Sequence, residues 1–187
     1  VRHRQRFMPE DDRTPLHGRR CVITGANSGL GRATAHTLAA RGATVHMFCR
    51  NLDSAHTVQA EIIANTNNPN VVVHHMDVSC PDSIRSAVAA FDDDSIDVLI
   101  NNAGVLLDRP ATSHFGFEQT LSTNLVGPWA FTAAMVPLLR KGQNSRIIWV
   151  SSGGMYTQRL NLDHLDPRVL EVRHPNRSQQ RHRLHRE

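Results

Sequence analysis

Residues Thr24–Gly31 read TGANSGLG. They follow a compact apolar run, RCVIT (20–24), and open onto LGRATAHTLAARG (30–42), where Ala33, Leu38 and other small apolar residues recur at helical spacing until Gly42 ends the run. Three glycines between a strand and a helix let the backbone turn tightly, approach a pyrophosphate and pack the helix against a sheet. The helix start then offers unpaired N–H groups and a partial positive charge to phosphate oxygens. TGxxxGxG in a strand–turn–helix setting therefore points to a dinucleotide site.

Outward from this turn, strand and helix patterns alternate. TVHMFC (44–49) reads as a second strand, SAHTVQAEIIA (54–64) as a helix, VVVHHM (71–76) as a third strand and SIRSAVAAF (83–91) as a helix. DVLINNAG (97–104) is a fourth strand running into a loop. A long helical stretch covers about 115–139, and RIIWV (146–150) is the fifth strand. Regular alternation requires parallel pairing, because each crossover carries the chain back over the sheet. Continuous apolar strands call for a sheet covered on both faces. The fold expected is α/β, a doubly wound, Rossmann-like parallel sheet of about five strands, with its ligand at the carboxyl ends of the strands. Residues 20–162 form this domain. Residues 1–19 read as a basic arm and 163–187 as an Arg/His-rich, unpacked tail.

Charge separates the same regions. Residues 1–20 hold six arginines against three acids and 168–187 six against two, so the body between them is mildly acidic although the chain carries +4 overall. Basicity confined to the ends speaks against a nucleic-acid-binding body. Cys21, Cys49 and Cys80 show no metal-ligand spacing. Cys21 and Cys49 fall at opposite ends of neighbouring strands, beyond disulfide reach, so reduced thiols in a cytoplasmic setting are expected. His74 and His75 read as strand residues and Asp92–Asp94 as a solvated helix end, leaving no metal site. No run is long and apolar enough to span a membrane. Association through a segment upstream of Val1 is left open, as is a homo-oligomer.

The end of the second strand selects the dinucleotide. An acid there would hold ribose hydroxyls and repel a 2′-phosphate, but the chain has Arg50, suited to bidentate phosphate contact. NADP(H) is expected over NAD(H), with Asp53 reserved for capping the next helix.

TGANSGLG, Asp77-Val78 after the third strand, NNAG (101–104) after the fourth, Asn124 in the long helix and VSS (150–152) after the fifth occur in this order. Together they resemble the classical short-chain dehydrogenase/reductase family over about 20–165, and within it the subgroup related to the retinol dehydrogenases. The resemblance implies a small-molecule carbonyl or alcohol as substrate. It implies that Gly25, Ser28, Gly29, Leu30 and Gly31 line the diphosphate, that Asp77 and Val78 touch the adenine, and that Asn101, Ala103 and Gly104 border the ribose and nicotinamide. Ser152 would hydrogen-bond the substrate oxygen. Asn124 would kink the long helix and hold a water in a proton relay.

The family also uses Tyr-x-x-x-Lys, in which a lysine one helical turn on lowers the phenol pKa from near 10. The sole tyrosine here is Tyr156, followed four residues later by Leu160, and the sole lysine is Lys141, before the fifth strand. The segment RHPNRSQQ puts Arg173 and Arg177 at the places the subgroup gives to tyrosine and lysine. Arginine does not deprotonate in proteins, and Pro175 disturbs a helix. The part of the family pattern that carries Tyr-x-x-x-Lys is therefore expected to be missing, leaving strand five an apolar edge. Two functions follow: an NADP(H)-dependent oxidoreductase with impaired catalysis, or a non-catalytic dinucleotide-binding protein.

Overall fold

A computed structural model describes residues 14–109 and 111–156. Its parallel sheet comprises β1 (Arg20–Thr24), β2 (Thr44–Cys49), β3 (Val71–His75), β4 (Val98–Asn101) and β5 (Arg146–Trp149), in the order β3-β2-β1-β4-β5. The helices α1 (Gly29–Ala40), α2 (Leu52–Thr66), α3 (Pro81–Ala89), α4 (Gln119–Leu121) and α5 (Gly127–Leu139) complete the alternation. The chain runs outward from β1 to β3, then returns to place β4 on the other side of β1. That reversal leaves a crevice at the carboxyl ends of β1 and β4.

Strand alternation divides the core in two. Cys21 and Ile23 of β1, Val45, Met47 and Cys49 of β2, and Ile100 of β4 pack with Ala35, Ala39, Ala55, Val58 and Ile62 of α1 and α2. Their strand neighbours Val22, Phe48 and Leu99 face the opposite way, onto Ile84 and Ala87 of α3 and Phe131, Met135 and Leu139 of α5. Successive strand residues thus serve different layers, and the central strands read as unbroken apolar runs for that reason. At the edge of the described sheet, β5 leaves Ile147, Ile148 and Trp149 exposed.

The structure revises several expectations. The 115–139 stretch is not one helix: α4 runs into a π turn, Ser122–Val126, before α5. Gly127 N donates to Ser122 O, five residues back. Pro128 follows and has no N–H to offer residue 124, so the ordinary i to i−4 ladder cannot pass this point. Of the expected arm 1–19, residues 1–13 lie outside the described residues, while Leu16 packs on the core and Arg19 Nη1 lies 3.2 Å from Asp97 Oδ1. Residues 157–187, including Leu160, Arg173 and Arg177, lie outside the described residues.

The acids after α3 are also more than a solvated end. Asp93 Oδ2 sits 2.6 Å from Nε2 of buried His46, whose Nδ1 is 3.0 Å from His74 Nε2. Phe48 stacks on His74, and Phe91 meets His46 edge-on. All three cysteines are free, and burial, aided by Asp97, pushes the Cys21 thiol up to about 12.

Candidate dinucleotide site

Thr24 ends β1 and Gly25 begins the turn with φ 65°, a left-handed conformation that side chains disfavour. Gly25 N donates to Phe48 O at 2.8 Å, and a Cβ at this position would lie 3.0 Å from Ala103 Cα. Both the turn and the loop after β4 are therefore drawn close to one another. Thr24 Oγ1 accepts from the backbone N–H groups of Asn102 and Ala103 at 3.0 and 2.9 Å.

This junction floors a cleft of about 400 Å³. One wall is the turn itself, Gly25 and Asn27–Leu30. The second is the end of β2 and β3, with Arg50, Asn51, Met76, Asp77 and Val78. The third is Asn102–Val105, with Thr123 of the π turn beside it. Of the expected residues, the cleft brings together Gly25, Ser28, Gly29, Leu30, Arg50, Asp77, Val78, Ala103 and Gly104.

Four others lie outside its lining. Gly31 is buried beneath the turn, where an added Cβ would collide with the Gly25 carbonyl oxygen and come within 2.5 Å of Asn102 Nδ2. Its part is to let helix and turn close together. Asn101 is turned away from the cleft, and its Nδ2 donates to Thr132 Oγ1 of α5 at 2.8 Å. Asn102, the first residue after β4, lines the cleft instead. Ser152 is exposed just beyond β5, with Oγ accepting from Gly154 N at 3.2 Å. Asn124 sits on the π turn and exchanges two 2.8 Å hydrogen bonds with the Val105 backbone. Its side-chain amide braces a wall of the cleft.

The electrostatics suit an anion. The N-cap of α1, Ser28, makes no side-chain capping hydrogen bond, and the first turn contains no acid. The leading N–H groups of a helix have no partner within it. A Cβ on Gly29 would meet nothing within 4 Å, so the backbone there is open to approach. α2 differs, because Asn51 Oδ1 accepts from Ser54 N at 3.0 Å. Asn51, not Asp53, is therefore its cap. Arg50 leaves its guanidinium largely exposed at the mouth, with Nη1 4.0 Å from Asp77 Oδ2. The residues present fit a dinucleotide: open helix-start donors for a diphosphate, a cation at the end of β2, and an apolar-flanked carboxylate at the end of β3.

Asn27, Asn51, Asn102 and Thr123 were not among the expected site residues. Strand alternation could have exposed Asn101 as turned away from the cleft. Thr123 carried no such signal, since the π turn brings it to the cleft.

Comparison with known proteins agrees with this architecture. A family model described as short chain dehydrogenase matches residues 19–160. Dehydrogenase/reductase SDR family member 12 of Bos taurus is 41% identical over 158 residues, covering 84% of this chain and 50% of that protein. Retinol dehydrogenase 11 of Homo sapiens is 36% identical over 152 residues, covering 80% and 48%. The chain thus spans about half the length of these curated relatives. Among solved structures, an uncharacterized protein from Mycobacterium paratuberculosis superposes with a TM-score of 0.71 at 36% identity, covering 83% of this chain and 54% of that one. A protein described as a short chain dehydrogenase from Escherichia coli CFT073, complexed with NADPH, gives 0.67 at 25% identity, covering 80% and 65%.

Proposed function

Since the chain belongs to the short-chain dehydrogenase family, we propose that its cleft binds NADP(H) and that its reaction class is hydride exchange with a small-molecule carbonyl or alcohol. The observation that carries this reading is the convergence of the uncapped α1 start, Arg50 and Asp77–Val78 on one cleft. The N–H groups at Ser28–Leu30 would hold the diphosphate. Arg50 would pair with a 2′-phosphate in the fork geometry of a guanidinium. Met76, Val78 and Asp77 would flank the adenine, and Ala103 and Gly104 the ribose leading to the nicotinamide. The NADPH in the Escherichia coli relative supports the phosphorylated form.

Bound there, the cofactor supplies a hydride to a carbonyl carbon or takes one from an alcohol. What this chain adds is Ser152, placed two residues after Val150, whose N–H donates to Asn101 O at 2.9 Å and so keeps the segment on the carboxyl edge of the sheet. Ser152 would donate a hydrogen bond to the substrate oxygen. No Tyr-x-x-x-Lys stands in the 187 residues to move the proton: Tyr156 is followed by Leu160, and Lys141 precedes β5. The chain by itself is therefore a binder with impaired turnover.

That deficit also favours a second reading, a dinucleotide-binding protein without catalysis. Fluorescence titration with NADPH followed by cofactor oxidation assays on an aldehyde panel separates the readings. Binding without oxidation supports impairment or non-catalysis. Sustained oxidation that Ser152→Ala abolishes overturns the impaired reading, and no binding at millimolar NADPH discards both. The free cysteines support a cytoplasmic location. Among the described residues no helix is long and apolar enough to cross a membrane.

A further inference from the structure

A directed hydrogen-bond chain joins the helical segment after the cleft to its adenine-side wall. Gln119 Nε2 donates to Ser79 Oγ at 2.8 Å and to Thr123 Oγ1 at 3.2 Å. Each hydroxyl has a single proton to give. Thr123 Oγ1 donates its own to Gln119 O at 2.8 Å, and Ser79 Oγ donates to Asp77 Oδ1 at 2.6 Å. Ser79 N also donates to Asp77 Oδ1, at 2.8 Å, and Asp77 N donates to Ser83 Oγ at 2.9 Å. Ser79 and Thr123 are both buried, so water does not readily substitute for these partners.

The amide settles the direction of the whole chain. Because Gln119 fills the lone-pair side of Ser79 Oγ, the serine proton is committed to Asp77. Asp77 Oδ1 is thereby held from within the protein, and Oδ2 is left toward Arg50 and the cleft. A close backbone approach reinforces the contact: Gly127 packs so tightly on the Val78 carbonyl that an added Cβ would overlap its oxygen. The segment 119–127 therefore grips the Asp77–Val78 wall at one end, while Asn124 grips Val105 in the facing wall.

We propose that Gln119 is a positioning residue for the adenosine half of the cofactor, acting through Ser79 to fix the rotamer and hydrogen-bonding state of Asp77. This rests on the reading of the cleft as an NADP(H) site. Gln119 itself does not line the cleft. Its hydrogen bond to Ser79 acts on the adenine-side wall, whereas Asn124 braces Val105 in the facing wall.

The test uses the full chain and three variants: Gln119→Met, which keeps length and bulk but removes the donor, Ser79→Ala, and the two combined. NADPH and adenosine 2′,5′-bisphosphate, its adenosine half, are titrated against each, with thermal melts to establish folding. Gln119→Met is expected to weaken both ligands about fivefold, the order expected for one lost internal hydrogen bond. In the Ser79→Ala background the same change is expected to have no further effect, because the route to Asp77 is already cut. A role in helix stability alone would lower the melting temperature and leave the affinity of the folded protein unchanged, which overturns the inference. So does a full fivefold effect that persists without Ser79. If the unaltered chain binds neither ligand, the cofactor reading fails and this inference falls with it. If the unaltered chain binds and Gln119→Met binds equally well, only the positioning role fails.

Discussion

Asn102 and Thr24 are joined by two hydrogen bonds: Asn102 N donates to Thr24 Oγ1 at 3.0 Å, and Asn102 Nδ2 donates to Thr24 O at 2.9 Å. The same amide reaches Gly25 O at 3.2 Å. The start of the glycine turn is thus suspended from the loop after β4. Asn102→Leu removes both side-chain donors and leaves two inward-facing carbonyls short of partners. A loss of about 1–3 kcal/mol is expected, read as a lower urea midpoint, together with weaker NADPH binding than that of the unaltered chain.

Gly31→Ala is expected to be of similar severity. The new methyl would collide with the Gly25 carbonyl oxygen, which is backbone, and with the Asn102 side-chain amide, which its hydrogen bonds to Thr24 O and Gly25 O hold in place. The turn and α1 must separate, costing about 1–3 kcal/mol as overpacking. The check is a denaturant melt beside a titration. The titration should show NADPH affinity falling with stability, whereas Gly18→Ala, at a surface turn far from the cleft residues, should leave affinity alone.

Arg50 carries the choice of dinucleotide. Among the described residues its exposed guanidinium has only the Asp77 carboxylate, at 4.0 Å, as an ion-pair partner, a spacing that lets it turn toward a phosphate. Arg50→Gln is expected to weaken NADPH by about tenfold, as a charge-assisted contact would require. NADH affinity should stay nearly constant. Equal loss for both cofactors would show that Arg50 shapes the cleft and does not read the phosphate.

The His46–His74 pair predicts acid sensitivity. Burial lowers the His46 pKa despite the opposing pull of Asp93. Burial and the neighbouring His46 bring His74 down to about 4 from the ordinary 6.5. The charged groups facing the pair are Asp92, Asp93 and Arg20. The unfolded chain takes up protons near pH 6.5 that the folded chain resists until about 4, so this contribution is complete above 6.5 and declines as pH falls toward 4. Urea midpoints should fall across that window. His74→Phe, which keeps a ring against Phe48, should flatten the profile. An unchanged slope would locate the acid sensitivity elsewhere.

The sheet was legible because its central strands bury both faces and are bounded by glycines and amphipathic runs. TGANSGLG then located the cleft. The 115–139 stretch defeated the periodic reading because apolar spacing does not show a hydrogen-bond ladder slipping by one residue at Gly127-Pro128. Asp53 is an acid at a plausible capping place, yet it falls inside the first turn of α2, and Asn51, two residues earlier, stands at the N-cap and takes the Ser54 N–H. The Gln119–Ser79–Asp77 chain was invisible because it joins residues 40 apart whose meeting depends on where α3 and the π turn pack.

The central claim, that a nucleotide diphosphate rests on the Thr24–Gly31 turn, is tested most directly by recording backbone amide NMR shifts during NADPH titration. The largest shifts are predicted at Gly25–Leu30, with further shifts at Asp77–Val78 and Ala103–Val105. Saturating NADPH that leaves those amides unmoved, or that shifts only the distant groove around His36 and Asn67, would contradict the account.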